Sequence, residues 1–138
     1  MAFNKKKIVY KKQVCYNEHA SGGKMEIKIE TILEKQSSIL KNNYIGTKTD
    51  NVITYNDSSC SVEIIIEEEV KMIRESFEFK LELTFSKEKT LNPYLLKSTN
   101  HILDIEIETK VIEIEDNKLY IEYLINEDKC KFTLNWSD

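Results

Sequence analysis

The segment from Ile102 to Trp136 alternates apolar and polar residues over most of its length and is interrupted by two short polar stretches. Successive side chains of a β-strand point to opposite faces of a sheet, so this alternation indicates strands with one buried face. A one-residue slip in pairing would expose the whole apolar set, which makes the register strongly specified. The segment therefore predicts three consecutive antiparallel strands.

The two polar stretches predict how these strands pair. Asp and Asn tolerate positive φ angles, so Asp116-Asn117 is expected to close the first hairpin and to set Ile114 opposite Leu119. Glu127-Asp128 is expected to close the second hairpin. The second register then pairs Ile125 with Cys130, Tyr123 with Phe132, Ile121 with Leu134 and Leu119 with Trp136.

The phase of the alternation changes inside the same segment. Ile105 and Ile107 occupy odd positions, whereas Ile112 and Ile114 occupy even ones. A β-bulge produces such a change because it sets two residues of one strand opposite one residue of its neighbour. We therefore predict a bulge near residues 110–111, where the sheet bends as barrel strands do.

Alternation recurs along the rest of the chain and predicts further strands at residues 7–16, 25–33, 52–56, 60–66, 70–74 and 77–85. Residues 34–51 are predicted to be a loop with a short strand around Tyr44-Ile45, or to contain one helical turn near Ser38. Residues 91–101 are predicted to be a connection or a short irregular strand. With about eight strands and no long helix, the chain is expected to form an all-β, eight-stranded antiparallel barrel, with residues 1–138 as one domain.

The charge of the chain bears on its partners. A net charge of −4 argues against a general nucleic-acid binder, because such domains usually have a strongly basic surface. The amino-terminal segment is locally basic, and its lysines are Lys5, Lys6, Lys7, Lys11 and Lys12. A charged edge strand is the favoured interpretation, and an arm that binds nucleic acid or anionic lipid is the alternative.

The cysteines Cys15, Cys60 and Cys130 are odd in number and lack the spacing of a metal site. The sequence also shows no signal peptide and no long apolar run. A cytoplasmic protein with reduced thiols and no membrane span is therefore expected.

No nucleophile elbow, glycine-rich phosphate loop, zinc motif or paired catalytic carboxylate is present. The acidic run Glu67–Glu69 is interpreted as a hairpin turn rather than as a metal site. We expect no catalytic residues, no metal, no cofactor and no enzymatic activity.

Arg74 is the only arginine of the chain, and pairing Ile66 with Val70 would place it opposite Val62 on the inward face. An inward guanidinium must be paired or hydrogen-bonded. Arg74 could anchor an anion, plug the barrel by bonding carbonyls and tyrosine hydroxyls, or lie at a solvated rim. Three tyrosines in inward phase complete the candidate ligand-binding set, which is Arg74, Tyr123, Tyr55 and Tyr10.

Three segments, VKMIRES, the strand ending in LTF, and ETKVIEIEDNKLYIEYLINEDKCKFTL, resemble the YwiB-like family of small uncharacterised bacterial proteins. The resemblance covers residues 55–136. Its motifs are an arginine that ends a strand, a Thr-Lys pair before a hairpin and a tyrosine in the next strand, matched here by Arg74, Thr109-Lys110 and Tyr123. The loop Ser98-Thr99-Asn100-His101 departs from the family, which has a glycine there.

The resemblance implies a calycin (lipocalin-like) barrel and supports an inward-facing Arg74, but it brings no established activity. Because an eight-stranded barrel can hold one small ligand, we expect a cytoplasmic protein that binds a small, partly apolar or anionic ligand. The alternative is a closed barrel that acts through its surface on a protein partner or as a homodimer.

Overall fold

The computed structural model describes residues 23–58 and 60–138 of the chain, which form ten β-strands. The first five strands are β1 (Met25–Lys35), β2 (Ser38–Thr49), β3 (Val52–Asp57), β4 (Cys60–Ile66) and β5 (Val70–Glu75). The other five are β6 (Phe79–Phe85), β7 (Thr90–Leu96), β8 (His101–Glu115), β9 (Lys118–Ile125) and β10 (Asp128–Ser137). Within the described ranges there is no helix long and apolar enough to span a membrane.

The strands form one closed antiparallel barrel. Each strand pairs with the next strand in the chain, and β1 pairs with β10 to close the sheet. The predicted all-β antiparallel barrel is confirmed, but the predicted number of eight strands is wrong, since the described residues form ten. A barrel of ten strands is wider than one of eight, because diameter grows with strand number.

The two additional strands are β2 and β7. The loop or helical turn predicted for residues 34–51 is wrong, because most of these residues belong to β2, which includes the short strand predicted around Tyr44-Ile45. Of the two predictions for residues 91–101, the short strand is confirmed by β7 and the connection is not. The only buried residue of β2 is Gly46 and the only buried residue of β7 is Asn92, so neither strand shows an apolar face in the sequence. The predicted strand at residues 7–16 lies outside the described residues.

The carboxy-terminal meander is confirmed, with one correction. Ile114 pairs with Leu119 around the predicted Asp116-Asn117 turn. The second hairpin turns at Asn126-Glu127, where both residues have positive φ, instead of at Glu127-Asp128. The register therefore moves by two residues: Cys130 pairs with Tyr123, Phe132 with Ile121, and Leu134 with Leu119. An even shift keeps the same side chains on the buried face, which is why alternation alone did not distinguish the two registers.

Three further predictions concern strand geometry. The register of β8 on β9 shifts between Thr109 and Val111, which confirms the predicted bulge. Ile66 pairs with Val70 and Val62 with Arg74, as predicted. The strand predicted at residues 77–85 begins only at Phe79, and the side chain of Phe77 is 96% exposed.

The barrel interior is occupied by one hydrophobic cluster. Its fully buried members include Ile29, Ile64, Phe85, Ile121 and Leu134, which come from five different strands. Strands β2 and β7 contribute no buried apolar residue to it. Burial of this cluster is the main favourable term in the stability of the barrel.

The ladder between β2 and β3 is short and contains four residue pairs. Gly46 lies in this ladder opposite Tyr55. A Cβ atom at Gly46 would collide with the Thr54 carbonyl oxygen and with the Cδ1 atom of Ile29, 2.6 Å away. Glycine is therefore required here for the close approach of two strands and the core.

The ladder between β6 and β7 contains only three residue pairs, and the Asn92 side chain connects the strands beyond it. Asn92 is 1% exposed. Its Oδ1 accepts a hydrogen bond from the Thr84 backbone N–H (2.7 Å), and its Nδ2 donates to the Ile105 carbonyl (3.0 Å). Nδ2 also contacts Thr90 Oγ1 (2.9 Å), and that hydroxyl donates to the Thr84 carbonyl (2.8 Å). One amide thus links β6, β7 and β8.

We expect Asn92→Ala to lower the free energy of unfolding by about 3 kcal/mol, because it leaves a buried N–H and a buried C=O without their partner. Urea unfolding followed by circular dichroism measures the change. Leu91→Ala, at a neighbouring side chain that is 69% exposed, is the matched control and should change stability little. Equal effects of the two substitutions would contradict the bridging role of Asn92.

Candidate functional site

Polar side chains gather at one end of the barrel interior. The turns that follow β1, β3, β5, β7 and β9 lie at the same end of an antiparallel meander, which we call the upper end. Five side chains near this end form a connected group, which we call the Arg74 cluster: Tyr44, Tyr55, Asp57, Cys60 and Arg74. Among the described residues, it contains both members of a partly buried ion pair.

The positive charge of Arg74 is balanced by a carboxylate within this cluster. Its Nη2 donates to Asp57 Oδ2 (2.8 Å) and to Cys60 Sγ (3.3 Å). Both members of the ion pair are partly accessible, with 32% of the Arg74 side chain and 26% of the Asp57 side chain exposed. Burial acts to lower the pKa of Arg74, but the hydrogen bond to Asp57 and the neighbouring Cys60 and Tyr55 outweigh it and raise that pKa. Arg74 therefore stays charged.

The two tyrosines of the cluster stack on each other. The ring centroids of Tyr44 and Tyr55 are 4.8 Å apart, with an interplanar angle of 24°. Burial and then the carboxylate of Asp57 raise the pKa of Tyr44. Burial raises the pKa of Tyr55 more strongly, although Arg74 opposes this effect. Both hydroxyls consequently remain protonated near neutral pH.

Tyr123 is also a buried member of the hydrophobic core. Its ring contacts Phe85 edge-on, with centroids 4.9 Å apart. Burial and its neighbour Cys130 raise the pKa of Tyr123, and the charge of Arg74 lowers it slightly. Thr109 pairs with Tyr123, and its fully buried hydroxyl has no hydrogen-bond partner among the described residues.

The structure brings together two of the four predicted site residues, Arg74 and Tyr55. The charge of Arg74 affects the pKa of Tyr123, but the ring of Tyr123 packs in the core. Tyr10 lies outside the described residues. Three partners of Arg74 were not predicted from the sequence: Asp57, Cys60 and Tyr44. Cys60 shares the inward phase of β4 and could have been identified, whereas Asp57 lies just beyond the strand predicted at residues 52–56.

The geometry limits the chemistry of this site. Asp57 already balances the charge of Arg74 through a single Nη2–Oδ2 hydrogen bond, so a second anion would compete with a carboxylate for this guanidinium. Across residues 23–58 and 60–138, no three His, Cys, Asp or Glu side chains come close enough together to hold a metal ion. The cluster can offer hydrogen bonds and aromatic surface to a polar, uncharged group.

Two concavities lie on the outer surface of the barrel. One, of about 480 Å³, lies over β1, β2 and β10, and its lining includes Lys28, Asn43 and Ile45. The other, of about 410 Å³, lies over β2 to β5, and its lining includes Ile45 and Glu63. The exposed side chain of Ile45 thus borders both.

No protein family and no curated protein matches the sequence. Among solved structures, the chain is similar to the crystal structure of the ywiB protein from Bacillus subtilis. The two share 13% sequence identity and a TM-score of 0.61 over 88% of this chain and 97% of that one. At this identity, the likeness shows the fold alone.

We expect Arg74 and Asp57 to be coupled by about 1–2 kcal/mol in a double-mutant cycle of Arg74→Met and Asp57→Asn, because the pair is partly shielded from solvent. The cycle compares the free energies of unfolding in urea of wild type, the two single variants and the double variant. The same cycle on the pair of Lys97 and Glu75, whose charged atoms are also 2.8 Å apart, is the control and should give a smaller coupling. A coupling no larger than the control would show that Arg74 behaves as a rim residue.

We also expect stability to fall above about pH 10, where tyrosines ionise in the unfolded chain. The raised pKa values of Tyr55 and Tyr123 mean that the folded state still holds protons that the unfolded state releases. Their contribution is complete below the unfolded pKa and is lost as pH rises. In urea unfolding between about pH 9 and pH 11, the free energy of unfolding of the double variant Tyr55→Phe/Tyr123→Phe should fall less steeply with pH than that of wild type. An unchanged slope would contradict this origin.

Proposed function

We propose that the protein is a non-enzymatic interaction module that acts through the outer surface of a calycin-type barrel. The observation that carries the proposal is the filled interior: one hydrophobic cluster extends through the barrel, and Asp57 already neutralises Arg74. In the part of the chain that the structure describes, apolar side chains occupy the interior, and this favours an action through the outer surface over transport of a ligand. The calycin type is supported by the sequence resemblance described above and by the likeness to the ywiB structure.

The thiols support a location for this module. Cys60 and Cys130 are both buried and neither forms a disulfide. Reduced thiols are typical of a reducing compartment, and a cytoplasmic location is therefore part of the proposal.

A second candidate function is the binding of a small, partly apolar ligand at the upper end. Two observations favour it: the Arg74–Asp57 pair is partly accessible, and the buried hydroxyl of Thr109 has no described partner. Buried polar groups usually have a hydrogen-bond partner, so an unpaired hydroxyl is compatible with a ligand contact. The charge balance in the cluster favours an uncharged ligand over the anion first considered.

Native mass spectrometry of the freshly purified full chain distinguishes the two candidates. The interaction module should appear at the mass of the polypeptide, 16.2 kDa, or at a multiple of it. An additional small-molecule mass that is retained by wild type and lost in Arg74→Met would overturn the proposal in favour of the ligand-binding barrel. Leu91→Lys, on an exposed side chain, is the control for nonspecific effects of substitution.

A further inference from the structure

Strands β2 and β3 are joined by two different kinds of contact. The backbone ladder between them contains the four residues from Gly46 to Thr49 of β2. Strand β2 begins well before this ladder, at Ser38, and β3 continues beyond it to Asp57. Among the described residues, no backbone pair joins the two strands above Gly46. Side chains therefore close the upper part of the barrel wall at this junction.

Tyr44 of β2 makes the side-chain contacts that close it. The Tyr44 ring stacks on the Tyr55 ring of β3, with centroids 4.8 Å apart and an interplanar angle of 24°. The Tyr44 hydroxyl donates a hydrogen bond to Asp57 of β3 and accepts one from Thr31 of β1. One tyrosine thus holds β2 against β3 where the backbone bonds end.

Asp57 connects this contact to the rest of the Arg74 cluster. Its carboxylate accepts hydrogen bonds from the Tyr44 hydroxyl and from Arg74 Nη2 (2.8 Å), so it ties β3 both to β2 and to β5. The same Nη2 lies 3.3 Å from the Sγ atom of Cys60. Cys60 pairs with Asp57 across the β3–β4 ladder and is buried. Arg74, held by Asp57, therefore covers part of the Cys60 thiol.

The upper β2–β3 junction is the part of the wall that separates most easily. Proteins open locally where few backbone hydrogen bonds and few buried contacts hold a region together. Every residue of β1 pairs with β2, whereas the β2–β3 ladder has four residue pairs. The ladder between β6 and β7 is also short, but the buried Asn92 amide bonds backbone groups there. At the β2–β3 junction the closing groups, Tyr44 and Asp57, are partly exposed side chains.

We propose that Tyr44 and Asp57 form a latch that holds β2 against β3, and that the barrel wall opens locally at this junction when the latch is released. Opening separates the two tyrosine rings and uncovers the Cys60 thiol, while the other ladders stay paired. It gives solvent a path to inner side chains that the closed barrel keeps buried. The latch goes beyond the proposed action through the outer surface and does not depend on it.

Two buried thiols distinguish local opening from global unfolding. Cys60 lies on β4 beside the latch, whereas Cys130 lies on β10, where it pairs with Tyr123 and Lys35. Cys60 is 7% exposed and Cys130 is 4% exposed. Global unfolding makes both thiols accessible, but opening of the β2–β3 junction makes only Cys60 accessible.

Alkylation of the native full chain with a bulky maleimide tests the proposal, with mass spectrometry of the cysteine peptides to measure each rate. Tyr44→Phe removes a hydrogen bond to a carboxylate but keeps the stacked ring, and it retains Arg74 and Asp57 beside the Cys60 thiol. We expect it to raise the alkylation rate of Cys60 about tenfold. Tyr44→Leu, which also removes the stacked ring, should raise that rate further. The alkylation rate of Cys130 should stay at its wild-type value.

Tyr94→Phe is the matched control. Tyr94 lies on β7, on the opposite side of the barrel from β2, and its ring contacts Phe79 edge-on with centroids 5.6 Å apart. The same chemical change there should leave the alkylation of Cys60 unchanged. An equal rise of the Cys60 and Cys130 rates in Tyr44→Phe would show global destabilisation and overturn the latch. An unchanged Cys60 rate, or an equal effect of Tyr94→Phe, would overturn it as well.

Discussion

Closure of the sheet is the constraint on which this structure depends, because a barrel has no free edges only if every strand has two hydrogen-bonded neighbours. Most of the ladders are long, but those between β2 and β3 and between β6 and β7 contain four and three residue pairs. Each short ladder is accompanied by a special residue. Gly46 permits close approach at the first, and the Asn92 amide supplies hydrogen bonds at the second.

The same two residues explain how far the sequence could predict the fold. Apolar alternation predicted the strands that contribute to the core, the bulge near Val111 and the pairing of Val62 with Arg74. It failed at β2 and β7, whose only buried residues are glycine and asparagine. A pattern based on apolar side chains cannot detect a strand that is held in the sheet by backbone contact or by a buried amide.

The sequence predicted one member of the candidate ion pair, Arg74, but not its partner. The inward phase of Arg74 follows from local hairpin pairing and could be predicted. Its partner Asp57 ends β3, which is separated from the Arg74 strand β5 by β4, and it lies just beyond the strand predicted at residues 52–56. Which carboxylate meets a guanidinium depends on strand ends and side-chain reach, and periodicity contains no information about either.

The ladder between β1 and β10 has a consequence for folding. Every other ladder joins strands that follow each other along the chain, whereas Glu30 and Asn135, which lie opposite each other in this one, are 105 residues apart. During synthesis, one edge of β1 therefore stays unpaired and accessible to other chains until β10 has been made. Its solvent-facing residues Glu26, Lys28 and Glu30 are charged, and charges on a strand edge disfavour association while that strand is unpaired.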